Sequence, residues 1–64
     1  MKLNPYIKEV RKISITKAAA EIGITKQWVS KLCSGSPGGK KLARVIQNWS
    51  GGYVTADEIM FPDD

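Results

Sequence analysis

The chain has 64 residues, 42% of them apolar, with ten Lys and Arg against six Asp and Glu for a formal charge of +4. A chain this short forms one domain and buries only roughly 60% of the surface its unfolded form exposes, so its core must be small and closely packed. The composition excludes a disordered polar tail as the whole of the chain, no apolar run approaches the roughly 18 residues of a membrane span, and Met1–Asn4 lacks the apolar stretch of a signal peptide.

Asn4-Pro5 reads as the opening of a first helix, with Asn4 as the cap and Pro5 at the first helical position, where its missing N–H is harmless. Ile7, Val10 and Tyr6 then share a face through about Lys12. Ile13 and Ser14 form a joint. A second helix starts near Ile15 or Thr16 and runs through Ala18-Ala19-Ala20, strong helix formers, to Ile22. Gly23 stops it, and Ile24 follows as a buried plug. Thr25 caps a third helix from Lys26 to about Cys33, with Val29 and Leu32 facing inward.

Ser34-Gly35-Ser36-Pro37-Gly38-Gly39 reads as a loop. Lys40 to Trp49 forms a fourth helix whose Leu42, Val45, Ile46 and Trp49 recur at the spacing of a half-buried face. Ser50-Gly51-Gly52 ends it. In the tail, Thr55-Ala56-Asp57-Glu58 matches a capping box and predicts a short fifth helix that lays Ile59 and Met60 on the core. The alternative is a strand at Tyr53-Val54-Thr55 followed by an extended Phe61-Pro62 arm. The expected fold is therefore all-α, a small five-helix bundle, with a short β or extended C-terminal segment as the variant.

The charge is lopsided. Asp57, Glu58, Asp63 and Asp64 carry four of the six acids, so residues 1–56 set ten bases against Glu9 and Glu21, a charge of +8. That density favours a polyanion, since each phosphate neutralised releases condensed counterions, although a merely solubilising surface would share it. Other chemistry has little to work with. Histidine is absent, one thiol cannot build a zinc site, and no Ser, Thr or Cys has an imidazole to activate it. Gly38-Gly39-Lys40 lacks the first glycine, the spacing and the following Ser or Thr of a phosphate-binding loop. Neither an enzyme nor a cofactor nor a metal is expected. Cys33 has no disulfide partner in the chain, so helix packing is expected to hold the fold, as suits a reducing compartment.

The spacing between Ile15 and Leu32 is the most informative pattern. A helix-turn-helix needs a small residue where two helices cross, a glycine four residues later, an apolar residue directly after it, and two apolar anchors three residues apart on the second helix. Ala19, Gly23, Ile24, Val29 and Leu32 meet these requirements, with Ala18 and Ile22 completing the buried face. An ordinary helical hairpin would need neither the glycine nor the polar outer face made by Lys26, Gln27, Ser30 and Lys31.

The run Ile15-Thr16-Lys17-Ala18-Ala19-Ala20-Glu21-Ile22-Gly23-Ile24 resembles the helix-turn-helix of phage Cro repressors, in which Thr-Lys, then Ala, then Gly with a hydrophobic residue recur. Gly51-Gly52-Tyr53-Val54-Thr55-Ala56-Asp57-Glu58-Ile59 is similar to the close of Cro proteins and of related prophage regulators. The motif is shared across a large repressor superfamily and specifies DNA binding better than it specifies Cro. Two positions depart from the pattern: Ile15 stands where Gln is frequent, and Trp28 where a small residue is common.

The resemblance implies a lambda-repressor-like bundle that binds duplex DNA through Thr16, Lys17, Thr25, Lys26, Gln27, Trp28, Ser30, Lys31, Ser36 and Lys40. Side-chain chemistry agrees for several of them. Lys26 and Gln27, in the first turn of the third helix, can read guanine and adenine edges. Ser30 and Lys31 lie a turn further on, within reach of flanking bases or phosphates. Thr16 and Lys17 open the second helix, where free amides and the helix dipole welcome a phosphate. Trp28 either packs on the fourth helix, as tryptophans more often do, or touches sugar and thymine methyl groups. Lys40 and Lys41 resemble phosphate clamps, with solvation the alternative.

Repressors of this kind act as dimers on palindromic operators and block polymerase or a rival regulator. The resemblance thus implies a cytoplasmic, nucleoid-associated regulator with a weak homodimer, no membrane and no small-molecule effector. Trp49, Tyr53, Met60 and Phe61 are candidates for the pairing surface. Two rivals remain open. One is an antitoxin-like module that holds a protein partner, favoured by the acidic tail. The other is an RNA binder, disfavoured because the RNA major groove hides its bases from a helix.

Overall fold

Burial of Leu3 together with Tyr6 and Ile7, at a spacing of three and four residues, decides where the chain first becomes helical. The computed structural model describes residues 1–62. Its first helical element, α1, is one α-turn at Leu3–Pro5 running directly into a π-helical stretch at Tyr6–Arg11. Lys2, not Asn4, precedes the first helical residue, and no side chain caps the amides there. Asn4 and Pro5 instead lie inside the first turn, because Leu3 is drawn into the core. Pro5 remains harmless there, since first-turn amides have no partner within the helix.

The wider winding of α1 changes which residues share its face. Lys12 bonds back five residues to Ile7, and Ile13 donates to the same carbonyl at 3.2 Å. Each turn therefore takes up more residues than an α-turn, and Val10, expected inside, is 42% exposed. Lys12 closes the element with φ +53, a left-handed conformation that costs a non-glycine residue about 1–2 kcal/mol.

The remaining helices are α2 (Ile15–Ile22), α3 (Lys26–Cys33), α4 (Lys40–Trp49) and α5 (Ala56–Met60). Ser14 proves to be the cap of α2, its Oγ accepting from the Lys17 amide at 3.1 Å. Gly23 ends α2 at φ +93, and its amide and that of Ile24 both donate to the Ala19 carbonyl, at 2.8 and 3.0 Å. Three residues, Gly23, Ile24 and Thr25, thus join α2 to α3. Thr25 caps α3 by accepting from the Trp28 amide at 3.1 Å. Ile22 and Ile24 are half-buried against the core, so Ile24 is less of a plug than its apolar character implied.

In α4 the buried face is Ala43 and Ile46, flanked by the half-buried Leu42 and Trp49, while Val45 is 41% exposed. The small Ala43 lets neighbouring helices close in and turns Val45 to an edge. Beyond α4, Ser50 is a buried polar residue whose hydroxyl is fully engaged. It donates to Gln47 O at 3.1 Å and accepts from the Val54 amide at 3.0 Å. That knot holds Val54 in the core. The tail is helical: Thr55 Oγ1 accepts from the Glu58 amide and Glu58 Oε1 from the Thr55 amide, completing the capping box. Ile59 is buried and Met60 half-buried. Among the described residues there is no strand, and no helix is long and apolar enough to cross a membrane.

Each helix contributes to a single core built of Leu3, Tyr6, Ile7, Ala18, Ala19, Val29, Leu32, Ala43, Ile46, Val54 and Ile59. The radius of gyration, 10.1 Å, is close to the roughly 10.7 Å of a folded chain this long, which leaves room for no second core. The glycine pair before α4 has two different jobs. The Gly38 amide donates to Ile59 O at 2.9 Å, and a Cβ at Gly38 would sit 2.6 Å from Ile59 Cγ2 and 3.2 Å from Leu32 Cδ2. Gly39 has open space around it and precedes α4 at φ −72, with no side chain to cap the helix. Gly38→Ala should therefore lose about 1–3 kcal/mol of unfolding free energy by overpacking. Gly39→Ser should gain about 0.5–1 kcal/mol from a new cap and a stiffer unfolded chain. Urea denaturation of both variants checks the opposite signs.

Candidate nucleic-acid interface

α3 divides its side chains cleanly. Val29 and Leu32 are buried, whereas Lys26, Gln27, Trp28, Ser30 and Lys31 are exposed. The division follows from the three-residue turn, which presses the Val29 side of α3 against α2 and leaves the opposite side to solvent. The helix holds no acid, and none occurs anywhere from residue 22 to residue 56, a span that carries Lys26, Lys31, Lys40, Lys41 and Arg44. None of these five cations makes an ion pair among the described residues.

The other expected contact residues fall around this helix with varying access. Thr16 and Lys17 are exposed in the first turn of α2, but the Ser14 hydroxyl already occupies the Lys17 amide. That leaves the Lys17 ammonium, more than its amide, to meet an anion. Thr25 is exposed, with its Oγ1 lone pair committed to the Trp28 amide, so it acts chiefly as a cap. Ser36 is half-buried, its amide bound to Lys31 O at 3.0 Å, and is the least accessible of the set. Lys40 is exposed at the start of α4, where it lines a shallow hollow of about 300 Å³ with Lys41 and Arg44. Arg44 was not among the expected contacts. Its spacing of four residues from Lys40 on one edge of α4 is the signal that could have placed it there.

Trp28 neither enters the core nor stands free. It is 36% exposed, and the Lys31 ammonium lies 5.8 Å from its ring centroid. Its other side borders an apolar groove of about 480 Å³ between the α2–α3 turn and α4, where Leu42 and Val45 form the far wall. Trp28 thus faces α4 across the groove. Of the residues suggested for pairing, Trp49 and Met60 are half-buried, while Tyr53 and Phe61 are 57% and 54% exposed.

One carboxylate ties three helices together. Glu21 Oε1 accepts from Trp49 Nε1 at 3.0 Å and from Arg11 Nη2 at 2.6 Å, and the Arg11 guanidinium lies over the Trp49 ring at 5.2 Å. The Trp49 and Arg11 bonds hold the Glu21 carboxyl below the usual carboxylate range. Glu58 is likewise lowered, chiefly by its 2.6 Å contact with the Met1 amino group. Burial pushes the Cys33 thiol up, away from a reactive thiolate. The described residues include no cluster of His, Cys, Asp and Glu able to hold a metal, and Asp63 and Asp64 of the acidic tail lie outside them.

No family model matches the chain, and no curated protein or solved structure matches it.

Because the folded pKa of Glu21 is depressed, its contribution to stability is present above the unfolded carboxyl value and lost as pH falls through the folded one. Glu21→Gln keeps the shape but removes the charge. Its melting temperature should lie below that of the parent at pH 7, and the gap should close below about pH 4. A constant gap across that range would show that the charge is immaterial.

Proposed function

We propose that the chain is a sequence-specific regulator that binds duplex DNA in the manner of the phage Cro repressors it resembles. In this reading α2, the three-residue turn and α3 form a helix-turn-helix, and α3 enters the major groove. The observation that supports it most is the composition of α3's exposed side. Lys26 and Gln27 stand at its leading turn and Ser30 and Lys31 one turn on, with no acid nearby, on a helix fixed from behind by Val29 and Leu32. Lys26 would donate to guanine O6 and N7, and Gln27 would pair with adenine N6 and N7, each good bidentate pair being worth about 1–3 kcal/mol of discrimination. Lys17, Lys31, Lys40, Lys41 and Arg44 would neutralise phosphates on either side and fix the register.

One such module offers too little base contact for high specificity, so two copies on a palindromic operator are part of the proposal, with the exposed Tyr53 on the pairing surface. Occlusion of a promoter in the bacterial cytoplasm is the corresponding mode of action. The protein is proposed to need no cofactor and to catalyse nothing.

Mobility-shift titrations against random duplex should give affinity that falls with salt at a log–log slope of about −0.9 per phosphate contacted. Duplex selected in vitro should be palindromic. Lys26→Ala with Gln27→Ala should erase that selection while leaving random-duplex affinity nearly intact. Lys40→Ala should weaken binding to all sequences alike and reduce the slope by about one. Salt-indifferent binding, or an unchanged selected sequence in the double variant, would refute the reading.

A further inference from the structure

The groove beside Trp28 has a chemical bias that identifies an occupant. Ile22, Ile24, Trp28, Leu42 and Val45 make it apolar, and Lys41 belongs both to it and to the cationic hollow shared with Lys40 and Arg44. The combined surface therefore suits a segment with an apolar anchor followed by carboxylates. A second copy's groove is a poor cover for it, because that would bring a like cationic rim toward Lys40, Lys41 and Arg44.

The chain itself carries the complementary segment. Phe61 is 54% exposed, and Asp57, Asp63 and Asp64 give its neighbourhood a net negative charge in the sequence. Phe61 does not occupy the groove of its own chain. It borders a separate hollow with Lys2, Asp57 and Glu58 that shares no residue with the groove, and Lys2 Nζ donates to the Pro62 carbonyl beside it.

We propose that the groove receives the acidic C-terminal segment of a second copy, with Phe61 in the apolar part and carboxylates facing Lys40, Lys41 and Arg44. The contact is head-to-tail, so a pair of copies still offers one free groove and one free tail. It also covers Trp28 and Lys40, and so excludes DNA from part of the face assigned above. That last consequence rests on the DNA-binding reading, whereas the association does not.

Sedimentation of the full chain over a range of concentrations should show association that weakens as salt rises. Phe61→Ser and Val45→Asp should each weaken it about tenfold or more. Both sites are exposed, and thermal melts check that the fold survives. Lys41→Glu serves as a second groove variant should Val45→Asp lower the melting temperature. Mixing Phe61→Ser, which keeps a groove, with the groove variant, which keeps a tail, should restore one strong contact and yield a 1:1 dimer that grows no further.

A chain that stays monomeric throughout, association that ignores salt, variants that associate like the parent, or a mixture that fails to pair would overturn the proposal. In a parallel titration, duplex affinity per chain should fall as the parent associates but stay constant for Phe61→Ser. Loss of duplex affinity on association in both proteins alike would overturn the competition. Absence of duplex binding in every variant would sink the DNA reading and leave the association result standing.

Discussion

Two amides converging on one carbonyl set the geometry on which the molecule's outer face depends. Ala19 O receives the N–H groups of both Gly23 and Ile24, which is only feasible because Gly23 turns into the left-handed region, where a Cβ would be strained. The chain is thereby reversed within three residues, and Thr25 can cap α3 almost as soon as α2 has ended. Ala18 and Ala19 are small enough for Val29 and Leu32 to join them in the core. Once those four side chains are buried, the helical period leaves Lys26, Gln27, Ser30 and Lys31 no direction but outward.

The rest of the bundle reinforces that arrangement without entering the exposed face. Glu21 draws in Arg11 and Trp49, so the one acid of α2 is spent on a clasp between helices. The lysines of α3 and α4 make no ion pair among the described residues. The Ser50 knot acts at the opposite end. It satisfies the buried Val54 amide, which would otherwise cost about 1–3 kcal/mol, and lets the chain turn from α4 toward α5 with Val54 fully enclosed.

Much of this was legible in the sequence where side chain and backbone obey one local rule. The limits of α3 and α4, the Thr25 cap, the Gly23 stop and the Thr55–Glu58 capping box all follow from residues within four positions of one another. Reading failed where packing overrode the local signal. Asn4 looks like a cap but lies inside a helix begun upstream by the burial of Leu3. Val10 and Val45 have the right period for an α-helical face, yet one sits on a π-helical stretch and the other is displaced by Ala43. Gly38 is the loop residue its sequence indicates, but its crowding is hidden because the side chain responsible, Ile59, is distant in sequence. Among the interface candidates, the basic and amide side chains of α3 were legible from polarity alone. Arg44, the partial burial of Ser36 and the groove beside Trp28 depend on how α4 docks.

The two indoles occupy contrasting surroundings. Trp49 has its ring N–H bound to a carboxylate and its face under a guanidinium, whereas Trp28 stands at a solvent-facing rim with an ammonium nearby. Their emission is thus expected to differ in wavelength and in access to quenchers, giving the molecule two built-in optical reporters. One registers the integrity of the helical scaffold, and the other registers whatever approaches its outer edge.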